Sequence, residues 1–384
     1  MKLTALEILS QLVAFPTVSR DTNRPLIDWV RNYLNDLGID SQLIPDSTGR
    51  KSNLLASIGP AEAGGLALSG HTDVVPVDGQ QWSSDPFTLT AKGSRLYGRG
   101  TCDMKGFIAT VLAATPGWKG MELRRPIHLM FSYDEEVGCL GAPAMIAAAR
   151  SKLPPPGAVI VGEPTGMQLA NQHKGLCALR TRVRGVAAHS SLTSKGMSAV
   201  MLASELIAQL ASVERARKTG VHVAEFEPPY TTLSVNRING GTAFNILAAE
   251  CEFDWDIRTL PGDHPDAILQ RLSQYAEYRL AQLSGEGRPC TIETTLLADA
   301  PALRPEQGTA ERLVRDSLDG ASEPMAVPFG TEGGQFQREG WSTVVCGPGE
   351  IAQAHKADEF IEQEQIARCH KLLSRAVSKQ CQLE

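Results

Sequence analysis

The residues best suited to chemistry in this chain are histidines and acids that follow short apolar segments. His71 and Asp73 come directly after the apolar run 66–69, which Gly70 ends. Because residues i and i+2 of a strand share a face, the Asp73 carboxylate is predicted to hold the His71 imidazole. A metal-binding histidine needs such a partner for its second ring nitrogen. An isolated His-x-Asp is more typical of a loop histidine with a capping aspartate, so the pair alone is ambiguous.

Acids follow two further apolar segments. Asp134, Glu135 and Glu136 come directly after segment 126–133, and Glu163 follows the run 158–161. Three consecutive acids repel one another, so a folded protein that keeps them usually supplies a cation. A solvated turn is the alternative.

Asp103 precedes a predicted helix, in a glycine-rich segment that lacks the third glycine and the Lys-Ser/Thr pair of a phosphate loop. His355 lies in a segment near the end of the chain. Ligands of open α/β sheets gather beyond the carboxyl ends of the strands. The sequence therefore predicts an α/β sheet with His71, Asp103 and the acids along one edge.

The elements that position these residues form two predicted domains. Residues 1–175 and 296–384 form one, and residues 176–295 form an inserted β-α-β-β-α-β unit of ferredoxin-like order. In its third strand, Cys251, Phe253, Trp255 and Ile257 alternate with acids. This alternation predicts a sheet with one buried face and one face toward solvent or a partner.

Composition narrows the class of protein. The 384 residues carry a net charge of −6, with 42% hydrophobic and 21% charged residues, which is ordinary for a soluble globular protein. The charge argues against a nucleic-acid partner, and no apolar run is long enough to span a membrane. The N-terminal segment is predicted to be an amphipathic helix and not a signal peptide. Eight scattered cysteines without that signal favour reduced, buried thiols in a cytoplasmic protein.

Five ordered motifs together resemble a known family. They are Gly70–Pro76, Gly98–Gly106, Asp134–Glu136, Gly162–Thr165 and Ala354–Phe360. The chain resembles the co-catalytic zinc deacylases and exopeptidases, which include acetylornithine deacetylases, succinyl-diaminopimelate desuccinylases, aminoacylases and zinc carboxypeptidases. Within that family it resembles the acetylornithine deacetylase branch most. The resemblance implies a zinc-exopeptidase-like mixed sheet flanked by helices, with residues 176–295 as an α+β lid and dimerisation domain.

The resemblance also implies a two-zinc site, with cobalt as a substitute. His71, Asp103 and Glu163 would bind one ion, and Asp103, Glu136 and His355 would bind the other, with Asp103 as the bridge. Glu135 would be the general base for a metal-bridging water, and Asp73 would orient His71. Because adjacent residues of an extended segment face opposite ways, Glu135 and Glu136 can take different roles. Cys102 is predicted to pack, with a metal contact as the alternative.

Residues of the lid and of one loop match substrate-binding positions of the family. His189 would stabilise the oxyanion, often in the partner's site, with a turn histidine as the alternative. Asn245 and Arg258 would hold substrate oxygens, although an ion pair with a lid aspartate is equally open for Arg258. Gly330 and Thr331 would line the substrate pocket. Glu332 would pair with a substrate ammonium.

The implied activity is removal of acetate from N2-acetyl-L-ornithine to give L-ornithine in arginine biosynthesis, by a cytoplasmic homodimer acting on a small molecule. The alternatives are deacylation of succinyl-diaminopimelate or acetylcitrulline, cleavage of a dipeptide, and a non-catalytic metal-binding protein. The acid at position 135 argues against the last of these.

Overall fold

The computed structural model describes residues 3–287, 289–320 and 323–382. The chain divides into two compact units, Met1–His173 with Leu303–Glu384, and Lys174–Ala302. The first unit ends after His173 where position 175 was predicted, and the second ends after Ala302 where 295 was predicted. The second difference is larger because the last strand of that unit continues to Ala300. The ends of the predicted first domain, residues 1, 2, 383 and 384, lie outside the described residues.

The helices and strands alternate along most of the chain. The helices are α1 Ala5–Val13, α2 Arg24–Asp36, α3 Lys105–Lys119, α4 Ala142–Lys152, α5 Ala199–Arg217, α6 Asp266–Gly285, α7 Thr309–Arg315, α8 Gly333–Arg338 and α9 Gln363–Cys381. The strands are β1 Ser41–Pro45, β2 Ser52–Ile58, β3 Gly65–His71, β4 Thr90–Lys92, β5 Arg95–Tyr97, β6 Ile127–Ser132, β7 Pro156–Pro164, β8 Ala170–His173, β9 Leu176–Arg184, β10 Thr232–Gly240, β11 Glu250–Arg258, β12 Thr291–Ala300, β13 Met325–Val327, β14 Thr343–Gly347 and β15 Phe360–Glu362.

The first unit is built on an eight-stranded mixed sheet in the order β1-β2-β6-β3-β7-β14-β8-β13. Its central strands β6, β3, β7 and β14 are mutually parallel, so their carboxyl ends meet at one edge. All residues of β3 are buried, as expected for a parallel strand covered on both faces. The predicted α/β class and the mixed sheet are confirmed.

Helices cover both faces of this sheet, and alternate side chains divide between two apolar clusters. On β2, Leu54 belongs to the cluster that includes α1, α3 and α9, whereas Leu55 belongs to the cluster that includes α4 and α8. Nearly the whole surface of α3 is buried, from Lys105 to Trp118. This helix begins two residues after Asp103, so its packing fixes the segment that carries the acid.

The second unit has the predicted β-α-β-β-α-β order, with an antiparallel sheet arranged β10-β11-β9-β12. Cys251, Phe253, Trp255 and Ile257 are all buried, in one cluster with residues of α5 and α6. The opposite face carries ion pairs: Arg180 binds Asp254 through two nitrogens at 2.7 and 3.0 Å. The alternation in β11 thus separates an apolar core from a charged face.

Two segments beside candidate residues have a definite local structure. Ile246 and Leu247 lie before β11 in a loop that bridges to His189 and Ala188. The glycine-rich segment 330–334 contains the start of α8.

Seven of the eight cysteines are buried and all are free thiols, as predicted. Among the described helices, none combines the length and apolar character that a membrane span requires.

Candidate metal centre

The parallel strands of the first unit deliver the candidate residues to one edge of the sheet. His71 is the last residue of β3, and Glu163 lies at the end of β7. The acids 134–136 follow β6, and the segment with His355 follows β14. Asp103 approaches from the loop before α3. The structure therefore places the candidate residues at the carboxyl edge of the parallel strands, where the sequence predicted them.

Asp103 lies between two histidines and offers one oxygen to each. Its Oδ1 is 2.9 Å from His71 Nε2, and its Oδ2 is 3.2 Å from His355 Nε2. His355 Nε2 also lies 3.0 Å from Glu136 Oε2, and His71 Nε2 lies 3.8 Å from Glu163 Oε1. This arrangement is the one that a carboxylate bridging two ions requires.

The donor atoms of the centre fit divalent cations. Ligand atoms of His71, Asp103 and Glu136 lie within 4.8 Å of one another, and so do those of His71, Glu135 and Glu163. Glu136 Oε1 and Glu163 Oε1 are buried and have no hydrogen-bond partner among the described residues. Burying a carboxylate oxygen without a partner costs free energy, and a bound cation would offset that cost. Imidazole nitrogen and carboxylate oxygen together suit zinc-like ions.

The pKa values of the centre show an excess of buried negative charge. Burial and the charge of Asp103 raise the pKa of Glu136 to about 7, and the same causes raise the pKa of Glu163 well above its usual range. Bonds to Asp103 and Glu136 raise the pKa of His355 to about 10. Burial would lower the pKa of His71, but the neighbouring carboxylates of Asp103 and Asp73 raise it. A bound cation would relieve this repulsion.

Asp73 contacts His71 differently from the prediction. His71 Nδ1 lies 2.9 Å from the backbone oxygen of Asp73, whereas the Asp73 carboxylate is 3.6 Å away. That carboxylate instead accepts hydrogen bonds from the backbone N–H groups of Glu135 and Glu136 at 3.1 and 3.3 Å, and from the Ser19 hydroxyl at 2.7 Å. The carboxylate is therefore farther from the imidazole than the predicted bond requires, because β3 ends at His71 and the chain turns after it.

Glu135 and Glu136 lie on a turn and not on the extended segment that was expected. Asp134 has a φ of 55°, and the Glu135 carbonyl accepts the N–H groups of Gly138 and Cys139 at 2.9 and 2.8 Å. The turn brings Glu136 to His355 and Glu135 to the side of His71 and Glu163. Glu135 Oε1 also accepts a bond from the Cys139 thiol at 3.3 Å. Burial raises the pKa of Glu135 well above its usual range, and repulsion by Glu136 adds to this.

In the second unit, the structure brings His189 and Asn245 together. The N–H of Ser190 donates to the Asn245 carbonyl at 2.9 Å, and both His189 and Asn245 are exposed. The N–H of Ser191 donates to His189 Nδ1 at 3.3 Å. A neutral His189 therefore carries its proton on Nε2 and presents a donor there. Arg258 Nε donates to Asp256 at 3.1 Å, which is the ion-pair alternative weighed for this residue.

The two side chains of the loop before α8 that were predicted to contact substrate are buried. Thr331 is fully buried, lies 3.0 Å from His173 Nε2 and accepts the N–H of Gly333. Glu332 is 1% exposed, and its carboxylate accepts a bond from the Ser69 hydroxyl at 3.1 Å. Both side chains are buried because the segment begins a helix packed on the sheet, and their contact with substrate stays a prediction. Gly330 is partly buried.

Several residues that shape the centre were not predicted from the sequence. Arg99 and Glu359 form a buried ion pair at 2.7 Å, although both belong to motifs that were identified. Ser19, Gln80 and Lys51 have no sequence signal, since their contacts span long separations along the chain. The Cys102 thiol donates to the Glu350 carbonyl at 3.3 Å, in keeping with packing.

Comparisons with known proteins agree with this architecture. The profile described as peptidase family M20/M25/M40 matches residues 67–379. An acetylornithine deacetylase of Pasteurella multocida is 35% identical over 98% of both chains. One from Proteus mirabilis is 36% identical over 99% of this chain and 98% of its own.

Solved structures show the same fold at low identity. An M20-family metallo-carboxypeptidase of Sulfolobus solfataricus has a TM-score of 0.74 at 20% identity, over 97% of this chain and 98% of its own. A Bacillus subtilis protein described as a dinuclear metal-binding peptidase of the M20 family has a TM-score of 0.65 at 15% identity, over 98% of this chain and 97% of its own. The matched profile and the full-length relatives show that the chain belongs to peptidase family M20/M25/M40 and is a metal-dependent amidohydrolase.

Proposed function

We propose that the protein removes the acetyl group of N2-acetyl-L-ornithine by hydrolysis, giving acetate and L-ornithine in arginine biosynthesis. The observation that carries the hydrolytic chemistry is Asp103, whose two oxygens face two different histidines at 2.9 and 3.2 Å. The choice of substrate rests on the relatives named acetylornithine deacetylase, which align over nearly the whole chain at 35–36% identity.

The residues of the centre would hold two zinc ions, which cobalt can replace. His71, Asp103 and Glu163 would hold one, and Asp103, Glu136 and His355 the other. Bound divalent ions polarise an amide carbonyl and lower the pKa of water. The orphaned oxygens of Glu136 and Glu163 support this assignment.

Glu135 would act as the general base. It lies beside the cluster on a turn anchored through its backbone N–H to Asp73, and a carboxylate in that place can take a proton from water. It would accept a proton from the attacking water and deliver it to the leaving amine. His189 would donate from Nε2 to the developing oxyanion, and Asn245 and Arg258 would hold substrate oxygens.

We also propose a homodimer formed through the second unit. Strand β10 lies at an edge of its sheet, and such an edge offers N–H and C=O groups with which a strand of another chain can pair. Phe244 is fully exposed near the end of β10, and Ile238 on the strand is 52% exposed. Sedimentation of the wild-type chain and of a Phe244→Asp variant tests this, since a monomeric wild type would contradict it. The cytoplasmic location remains a prediction.

A substrate panel tests the proposed activity. Initial rates of the zinc-loaded protein would be measured with N-acetyl-L-ornithine, N-acetyl-L-citrulline, N-succinyl-diaminopimelate, N-acetyl-methionine and a dipeptide. We expect kcat/KM for N-acetyl-L-ornithine to exceed each of the others by at least about tenfold, a difference of about 1.4 kcal/mol in transition-state binding. Equal values for N-acetyl-L-ornithine and N-acetyl-methionine would contradict the proposed substrate.

A further inference from the structure

A buried arginine connects two segments that carry candidate metal ligands. Arg99 is 1% exposed, and its Nη1 donates to Glu359 Oε2 at 2.7 Å and to the Lys356 carbonyl at 3.2 Å. Its Nη2 donates to Gln80 Oε1. A planar guanidinium with several fixed donors holds such partners in one geometry. The arginine therefore joins the segment of Gln80 to the loop of residues 354–359.

Glu359 extends this connection to Asp103. Its Oε1 accepts the backbone N–H groups of Cys102 and Asp103 at 2.9 and 3.1 Å, while its Oε2 accepts from Arg99. Hydrogen bonds to an ionised acceptor are about twice as strong as those between neutral groups. The backbone that carries Asp103 is thus held by a carboxylate from the same loop as His355.

The second candidate ligand, His355, is held by Gln80. Its Nε2 donates to the His355 carbonyl at 3.0 Å, and its Oε1 also accepts from Trp82 Nε1 at 3.1 Å. His355 has a φ of 62°, in the left-handed region that residues other than glycine adopt only at a cost. Its side chain is 50% exposed, whereas those of His71, Asp103 and Glu163 are at most 6% exposed. Packing fixes His355 least among these four, so it depends most on this hydrogen bond.

We infer that Arg99, Gln80 and Glu359 are positioning residues that hold Asp103 and His355 in one arrangement and so set the affinity of the second metal ion. The inference rests on the proposed two-metal function. Among the hydrogen bonds of the described residues, those of these three side chains reach neither His71 nor Glu163. Their loss should therefore weaken the ion held with His355 more than the ion held with His71.

The test is a calorimetric titration of the metal-free full-length protein with zinc, without substrate. Gln80→Leu removes the bond to His355 at a partly exposed position. Glu359→Gln removes the charge that faces Arg99. The matched control is Glu362→Gln, which breaks the exposed 2.7 Å pair of Arg95 and Glu362, two residues on strands β5 and β15 of the same small sheet. Urea unfolding of each metal-free variant accompanies the titration.

We expect Gln80→Leu to raise one of the two zinc Kd values at least tenfold, as removal of a partner that orients a ligand typically does. The other Kd and the unfolding midpoint of the metal-free protein should equal those of Glu362→Gln. Glu359→Gln, if it folds, should raise the same Kd further. Two unchanged Kd values in Gln80→Leu would overturn the inference, and so would an equal loss at both sites together with a lower unfolding midpoint. Because no substrate is present, this outcome is independent of whether N2-acetyl-L-ornithine is the substrate.

Discussion

Replacing Asp73 by asparagine separates two roles that its carboxylate could have. In the structure, the carboxylate accepts the N–H groups of Glu135 and Glu136, whereas His71 Nδ1 bonds the backbone oxygen of residue 73. Asparagine keeps the size and the backbone oxygen, but its NH2 group cannot accept a hydrogen bond. The substitution should therefore disturb the turn with the two glutamates and leave His71 in place.

The magnitude follows from the bonds that are lost. At least one of the three bonds to a charged acceptor disappears, and each such bond contributes about 1.5–3 kcal/mol. We expect the free energy of unfolding of the metal-free protein to fall by about 2 kcal/mol. If the same energy is lost in the transition state, kcat falls about 30-fold, since about 1.4 kcal/mol corresponds to tenfold.

The assays are urea unfolding, initial rates on N2-acetyl-L-ornithine, and zinc titration. Ser19→Ala is the control: it removes the 2.7 Å bond from the hydroxyl to the same carboxylate and leaves both N–H contacts. It should cost about 2 kcal/mol of stability, because it too removes a bond to the charged carboxylate, but it should change kcat only a few-fold because the turn with the two glutamates stays anchored. An Asp73→Asn protein that unfolds like wild type but has lost a zinc ion would refute the reasoning, because the carboxylate would then be the support of His71.

Three further predictions concern stability. Burial lowers the pKa of His128 to about 4. Below pH 6.5 the unfolded state therefore binds more protons than the folded state, and the protein becomes less stable as the pH is lowered. His128→Gln should lose about 2 kcal/mol less than wild type between pH 7 and pH 5 in urea unfolding, and equal losses would contradict this. A Cβ at Gly162 would lie 2.1 Å from the Phe107 ring. Gly162→Ala should therefore destabilise the protein by about 1–3 kcal/mol, whereas Gly117→Ala, in open space, should not. Zinc added to the chelated protein at about 100 times its Kd should stabilise it by about 2.7 kcal/mol, and no change in the unfolding transition would contradict a metal centre.

The placement of the metal centre was predictable from the sequence because strand ends are local features. His71, Glu135, Glu136 and Glu163 each follow an apolar run, and parallel strands bring such positions to one edge. The division of β11 into buried and charged faces was predictable for the same reason, since a period of two can be read along one strand.

The contacts among these residues were not predictable, because they depend on how the chain turns after each strand. The expected bond from the Asp73 carboxylate to His71 assumed an extended chain at a point where β3 has ended. Thr331 and Glu332 were assigned to a pocket because they match a loop of the family, and their burial at the start of α8 was not apparent from that match. Gln80 and Arg99 act across more than 250 residues, on the loop of residues 354–359. Nothing in the local sequence specifies such a pairing.

The most direct test of the two-metal account is the Glu135→Gln variant, with metal content and rate measured on the same sample. Glu135 groups with His71 and Glu163 as a possible set of metal ligands, although it is proposed as the base. Glutamine keeps the size of the side chain but cannot take a proton. The account predicts two zinc ions per chain, as in wild type, and a rate on N2-acetyl-L-ornithine lowered by about 10²–10⁴. A rate equal to that of wild type would contradict Glu135 as the base, and loss of one zinc ion would show that Glu135 is a ligand instead.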